Sequence, residues 1–337
     1  MTESTIVVRR AADGSVAVRS GRMTDWGKVL RGQEVALAAF TLSNLFTLCG
    51  QAHRAACQAV LELDPEPDGA LLWGEIARES LLQVKLRWPV TADEAQMPAL
   101  PLMALARPSL AGGKGLASAI SDYLARHVLG MSHLEFRRFS GWPQFEHWLA
   151  SCPSTAAASL RLVQERGLQG LGRHEGPLRP EFELHAVARA MSAPGFCAQP
   201  EWGAEHPELG PLARQARHPV VAESCRRFGN GLFSRLVARL FDVAMVPILL
   251  EDGLVPLEFA PGMARVETAR GPLFHTATVR SGKVQDYAIL APTEWNFHPR
   301  GPAVRAMESA PPDTETLALQ WLVNSLDPCV DVKLELA

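Results

Sequence analysis

Lysine, closely spaced cysteine pairs and long apolar runs are what this 337-residue chain has least of. Only five of its 33 basic residues are lysine (Lys28, Lys85, Lys114, Lys283 and Lys333) and the rest are arginine, a skew that reads as genomic base composition rather than function. The formal net charge is −3, so nothing balances a phosphate backbone and nucleic acid is excluded as a partner. No apolar run approaches the roughly 20 residues that a membrane-spanning helix needs, which excludes a membrane partner of that kind. Arg9-Arg10 imitates a twin-arginine export signal, but the AADGSVAVRS that follows has no apolar core, leaving the cytoplasm as the expected compartment. The six cysteines (Cys49, Cys57, Cys152, Cys197, Cys225 and Cys329) are dispersed along a chain long enough to bury its own core. They form no disulfide framework, so a cysteine with a special role does metal or redox chemistry. Internal repeats and low-complexity segments are missing too. AGGKGLAS, at 111–118, lacks the spacing of a phosphate loop and serves as a Gly-rich entry to a helix ending near Leu129.

What is present, 47% apolar and 20% charged, is ordinary for a globular protein, and the length allows one large domain or two. Ile6, Val7 and Val8 against Val16 and Val18, with Asp13-Gly14 turning, predict a hairpin over 5–19. Helices follow from about Glu34 to Phe46 and Gln51 to Leu63, on either side of the LCG turn. Residues 68–87 give a helix ended by Pro89; 89–110 are Pro-rich and loop-like; a further helix runs from about Thr155 to Arg166. The segment 167–219, rich in Gly, Pro, Glu and His, predicts loops and short helices on the outside, with His174, His185, His206 and His218 at the surface because they lack tight metal-ligand spacing. Leu232, Leu236, Leu240 and Val243 mark a long helix that Pro247 bends or ends. Asp313 predicts the N-cap of a last helix, which delivers Asp327-Pro328-Cys329 on a mobile C-terminal tail.

The stretch with most chemistry is 267–296, ETARGPLFHTATVRSGKVQDYAILAPTEWN. Strand residues flank Ser281-Gly282, so a hairpin brings its two outer ends, Arg270-Gly271 and Pro292-Thr293, together. Two polar side chains on backbone fixed by Gly and Pro suit one small ligand. An ordinary surface hairpin satisfies the same spacing. On the helix after the LCG turn, Cys49, His53 and Cys57 lie one turn apart and could line one face as a metal set. Alternatively Cys57 is a small buried hydrophobe and His53 is satisfied locally.

ETARGPLFH resembles the E-A-P-R-G-x-L-x-H stretch of [NiFe]-hydrogenase large subunits, and APTEWN their V-P-[ST]-T-W-N. LDPCVDV resembles their D-P-C-x-x-C, FTLCGQA their R-x-C-G-x-C, and SRLVARL their G-R-x-x-A-R helix, with Arg235 and Arg239 in place. Stretches in family order that bound most of the chain are a specific signal. The resemblance implies an α+β fold in a single domain over 1–337, with a mainly helical large-subunit-type core and peripheral β-hairpins. It implies that Cys49 and Cys329 stand where cysteines terminal on nickel stand in the family. Ala52 and Val332 occupy the bridging-cysteine positions and cannot ligate, so a four-thiolate nickel site is not expected. The family's N-terminal proton-relay glutamate has no counterpart. Arg270 and Thr293, next to Ala269 and Pro292, match the residues that hydrogen-bond the iron-bound cyanides, with Ala269 replacing the family's proline.

Donors for cyanide kept while donors for nickel are lost imply a holder of the Fe(CN)2(CO) fragment alone, transiently bound. Accessory proteins of the HupK/HoxV kind, shortened relatives of the large subunit, fit that pattern. The expected function is a non-catalytic maturation scaffold. Its expected partners are the iron-cyanide assembly proteins, a small maturation chaperone and the hydrogenase large-subunit precursor. No extension follows the last cysteine, so no C-terminal cleavage is expected. The alternative is a metal-free mimic of the large subunit that acts through interactions only.

Overall fold

The computed structural model describes residues 5–63, 68–89, 97–98 and 113–336. Most of the Pro-rich 89–110 stretch and the start of AGGKGLAS lie outside the described residues. The chain opens with β1 (Ile6–Arg10) and β2 (Val16–Ser20), antiparallel, with Gly14 at φ 85° in the turn. Helices α1 (Gly27–Leu30), α2 (Val35–Leu45), α3 (Gly50–Val60) and α4 (Gly69–Arg87) follow. Asp68 caps α4 by accepting from Ala70 and Leu71 N–H. Next come α5 (Gly113–Tyr123), which continues into a π-helical turn over Leu124–Leu129, then α6 (His133–Arg137), α7 (Trp142–Ser151) and α8 (Thr155–Glu165).

The helix around which these pack is α12 (Leu232–Val243), preceded by α9 (Leu184–Met191), α10 (Pro211–Gln215) and α11 (Pro219–Phe228). Every residue of α12 is buried, including Ser234, Arg235, Arg239 and Asp242. A helix buried on all sides must pair its polar residues within the protein. Arg235 therefore meets Glu208 at 2.8 Å, and Asp242 receives Arg214 at 2.7 Å. The helix stops at Ala244, and Pro247 sits in the first turn of α13 (Val246–Glu251), where its missing N–H costs nothing.

A four-stranded antiparallel sheet then forms in the order β3 (Leu257–Ala260), β4 (Met263–Thr268), β5 (Gly271–Arg280) and β6 (Lys283–Leu290). The expected hairpin is its β5–β6 half, and Ser281 and Gly282 both take positive φ in the two-residue turn. The two strands ahead of it were not foreseen. Helix α3 lies on this sheet through Ala52, Ala55, Ala56 and Ala59, whose small side chains allow close approach to Ala264, Val266 and Leu273. The chain ends with α14 (Pro292–Asn296), α15 (Pro302–Glu308), α16 (Thr316–Ser325) and β7 (Val332–Leu336).

Three expectations need correction. The C-terminal segment is not a mobile tail: β7 pairs in parallel with β1, from Ile6↔Val332 to Arg10↔Leu336, and Arg9 meets Glu335 at 2.8 Å. The last helix is capped at Glu315, not Asp313. The 167–219 segment is not simply exterior: Phe182, Leu184, Val187 and Leu209 form a buried cluster with Phe274, Leu290 and Trp295. His206 is buried, the His174 side chain is nearly so, and only His185 is fully exposed. Arg235 donates to His174 and the His298 ring stacks on His206, contacts that the sequence spacing could not show.

Candidate functional site

Two distant cysteines meet at one cavity of about 520 Å³. Cys49 is the N-cap of α3 and sits in the left-handed region at φ 53°, a conformation that costs a non-glycine residue roughly 1–2 kcal/mol. It is held there by Glu79 of α4, which accepts from the Cys49 N–H at 2.7 Å. Cys329 precedes β7 by three residues, so the β1–β7 pairing anchors it. Its sulfur receives Thr293 Oγ1–H at 3.1 Å and Arg22 Nη1–H at 2.7 Å. Cys49, Cys329, Arg270, Pro292 and Thr293 all line the cavity. Ala269 does not; it is buried behind the wall, with its carbonyl facing Arg214.

Arg270 is fastened on several sides. Its Nε donates to the Asp327 carbonyl at 3.1 Å, Nη1 donates to Cys49 Sγ at 3.3 Å and to Glu79, and Nη2 lies 3.2 Å from Asp327 Oδ1. Asp327 also lies 3.1 Å from Arg239 of α12, close enough for charge attraction. Burial opposes the charge on Arg270, but Asp327, Cys49 and Glu79 keep it protonated. Gly271, at φ 125°, follows because a Cβ there would lie 3.1 Å from the Gly210 nitrogen and 3.4 Å from Pro292 Cβ.

Two carboxylates on α4 stand behind Cys49. Glu75 accepts from Gln51 and Ala52 N–H at 2.9 and 3.0 Å, satisfying first-turn donors of α3. Burial and then the neighbouring Glu79 push its carboxyl up to about 7. Burial would also raise Glu79, but Arg270 and the Cys49 N–H hold it below the usual carboxylate range. Burial and then Glu79 raise the Cys49 thiol. The Glu79 carboxylate accepts from Cys49 Sγ at 3.4 Å.

Cys49, His53 and Cys57 do not converge. The His53 ring stacks on Phe46 with centroids 3.5 Å apart, and its Nδ1 is 3.0 Å from His275 Nε2. Cys57 is buried against Tyr287. Among the described residues the group close enough to hold a cation is Glu201, His206 and His298. Its rings are stacked, Glu201 is paired with Arg300, and His298 Nδ1 accepts the Arg300 N–H, while His206 Nδ1 and His298 Nε2 have no hydrogen-bond partner among the described residues.

Sequence reasoning missed Glu75, Glu79, Arg22 and Asp327. Glu75 and Glu79 had a signal, since i,i+4 spacing on a helix puts both on one face. Asp327 adjoins the Cys329 motif. Arg22, in a loop, had none.

A family model described as nickel-dependent hydrogenase matches residues 208–332. The hydrogenase expression/formation protein HupK of Rhizobium leguminosarum bv. viciae is 29% identical, over 96% of this chain and 93% of that protein. The hydrogenase expression/formation protein HoxV of Cupriavidus necator is also 29% identical, over 92% of this chain and 90% of its own. Among solved structures, the reduced Ni-Fe-Se hydrogenase of D. vulgaris Hildenborough superposes with TM-score 0.54 at 14% identity, covering 94% of this chain and 93% of that one. This last likeness concerns the fold, α+β as the sequence implied.

Proposed function

We propose, from its similarity to the hydrogenase expression/formation proteins HupK and HoxV and from its hydrogenase large-subunit fold, that the chain is a maturation scaffold carrying the Fe(CN)2(CO) fragment as cargo. The observation that carries this reading is the convergence of Cys49 and Cys329 on one cavity that also bears Arg270 and Thr293. Two thiolates are a sufficient grip for iron whose other positions carry cyanide and carbonyl. Thr293 already directs its hydroxyl at Cys329, and a cationic wall of Arg22 and Arg270 favours an anionic cargo. A nickel ion would need two more thiolates, but Ala52 offers none and Val332 is paired with Ile6 in a strand. Exposed Leu37, Phe40, Leu45 and Leu48 lie on α2 and the loop leading to the cavity rim, a surface suited to a docking assembly partner.

One observation favours the second reading, a metal-free mimic. Glu79, Asp327 and Cys49 already engage Arg270 at every nitrogen, leaving it one N–H to offer a cargo. Infrared spectra and metal analysis of protein purified without oxygen decide between the two. Cyanide and carbonyl stretches with iron and no stoichiometric nickel support the scaffold. Metal-free protein from cells actively assembling hydrogenase supports the mimic.

A further inference from the structure

A line of four buried polar groups runs from the core to the cavity wall. Cys57 adjoins the Tyr287 hydroxyl, which lies 2.7 Å from His275 Nδ1; His275 Nε2 lies 3.0 Å from His53 Nδ1. All four residues are buried, with relative exposures of 0, 2, 0 and 5% for Cys57, Tyr287, His275 and His53. His53 forms part of the cavity wall, and its Nε2 has no hydrogen-bond partner among the described residues. Phe46 stacked on the ring, 6° from parallel, fixes its plane.

The two ring nitrogens 3.0 Å apart require one of them to be a bare acceptor, and burial, which holds His275 down to about 3 and, with His275 and Arg22, holds His53 well below its ordinary value, disfavours charge on either ring. A neutral imidazole has one donor and one acceptor nitrogen, so the line can point only one of two ways. The tyrosine proton chooses. Its available acceptors are an imidazole lone pair and a thiol sulfur, and the sulfur is much the weaker. The 2.7 Å separation fits a hydroxyl donor better than a ring N–H donor, whose bonds centre nearer 2.9–3.0 Å. Tyr287 therefore donates to His275 Nδ1, with the Cys57 sulfur beside its hydroxyl. His275 must then carry its proton on Nε2 and donate to His53 Nδ1. That leaves the His53 proton on Nε2, facing the cavity.

We propose that His53 is a ligand-binding residue, its Nε2–H held as a fixed donor to an anionic acceptor in the cavity by positioning residues His275 and Tyr287. Given the scaffold reading, on which this part rests, the acceptor is an iron-bound cyanide, and His53 supplies a donor beside the one N–H that Arg270 has left. The arrangement also accounts for His53 and Cys57 standing one turn apart without forming a metal set: they lie at the two ends of one line of buried polar groups.

The donor direction is tested on the metal-free full chain by ¹⁵N NMR of the histidine rings. His53 and His275 should both be Nε2–H tautomers; an Nδ1–H tautomer at either residue overturns the inference. Tyr287→Phe, which leaves the cavity wall untouched, should release the lock and give a mixed His275 population. An unchanged tautomer pattern there would show that the tyrosine sets nothing, and would also overturn it. In protein carrying the iron fragment, Tyr287→Phe and His53→Phe should each displace a cyanide stretch, and His53→Phe should weaken retention about tenfold. Cyanide bands that stay in place in both folded variants refute the contact with cargo. If parent protein carries no cyanide at all, the scaffold reading and its cyanide contact fall, while the NMR result still decides the donor line.

Discussion

Replacing Arg270 with leucine should destabilise the metal-free fold before any cargo is considered. The guanidinium stands between Glu79 and Asp327, whose side chains are 1% and 2% exposed. Removing it strands two buried carboxylates, a change that typically costs about 3–5 kcal/mol when one partner of a buried ion pair is lost. Partial compensation remains, because Asp327 keeps Arg239 at 3.1 Å and Glu79 keeps the Cys49 N–H at 2.7 Å and Arg78 at 3.3 Å. The sign with pH follows from Glu79. In the parent its pKa lies below 4.5, so its contribution is present above that value and lost as the solution is acidified. Without Arg270, burial dominates and the folded-state pKa moves up instead. The deficit of Arg270→Leu should therefore be largest near neutral pH and shrink as pH falls through and below 4.5, where a neutral carboxyl needs no cation. Urea unfolding of parent and variant at pH 7.5 and pH 4.5, read by tryptophan fluorescence, measures both differences. A neutral-pH deficit under about 1 kcal/mol, or one that does not narrow in acid, would refute the view that Arg270 neutralises this pair. Arg270→Lys should recover only part of the loss, since one ammonium cannot reach the same set of acceptors in the same plane.

Cys329→Ser should abolish iron retention while leaving the melting temperature close to the parent, because β7 holds the backbone independently of the thiol; full iron content in the variant would remove Cys329 as a ligand. Thr293→Val should keep the fold, lose the 3.1 Å bond to Cys329 and displace a cyanide or carbonyl band of loaded protein, whereas a superimposable infrared spectrum would count against Thr293. Glu75, raised from 4.5 to about 7, contributes stability that is complete below 4.5 and lost as pH rises through about 7. Glu75→Gln should flatten the fall in urea midpoint across that window while keeping an acceptor for α3, and an equally steep fall would show that another group titrates there.

The sequence alone determined the local elements whose causes are local. Asp13-Gly14 and Ser281-Gly282 made their turns because glycine tolerates positive φ, and Pro247 opens the helix after the central one because it lacks the N–H that would continue the earlier helix. It also marked Cys49, Arg270, Thr293 and Cys329, since each stands in a short stretch resembling a known family. What it did not determine was which charges face which. Glu79 and Asp327 meet Arg270 only because α4, the β4–β5 turn and the end of α16 are packed together by residues far apart in the chain. Arg22 reaches Cys329 across 307 positions, with nothing nearby in sequence to announce it. The C-terminal strand was missed because its partner, β1, lies at the opposite end of the chain, and strand pairing at that distance leaves no periodic trace. His53 was visible as a residue one turn from two cysteines. Its role depends on His275 and Tyr287, which only the close approach of an alanine-faced helix to a sheet brings within hydrogen-bonding distance.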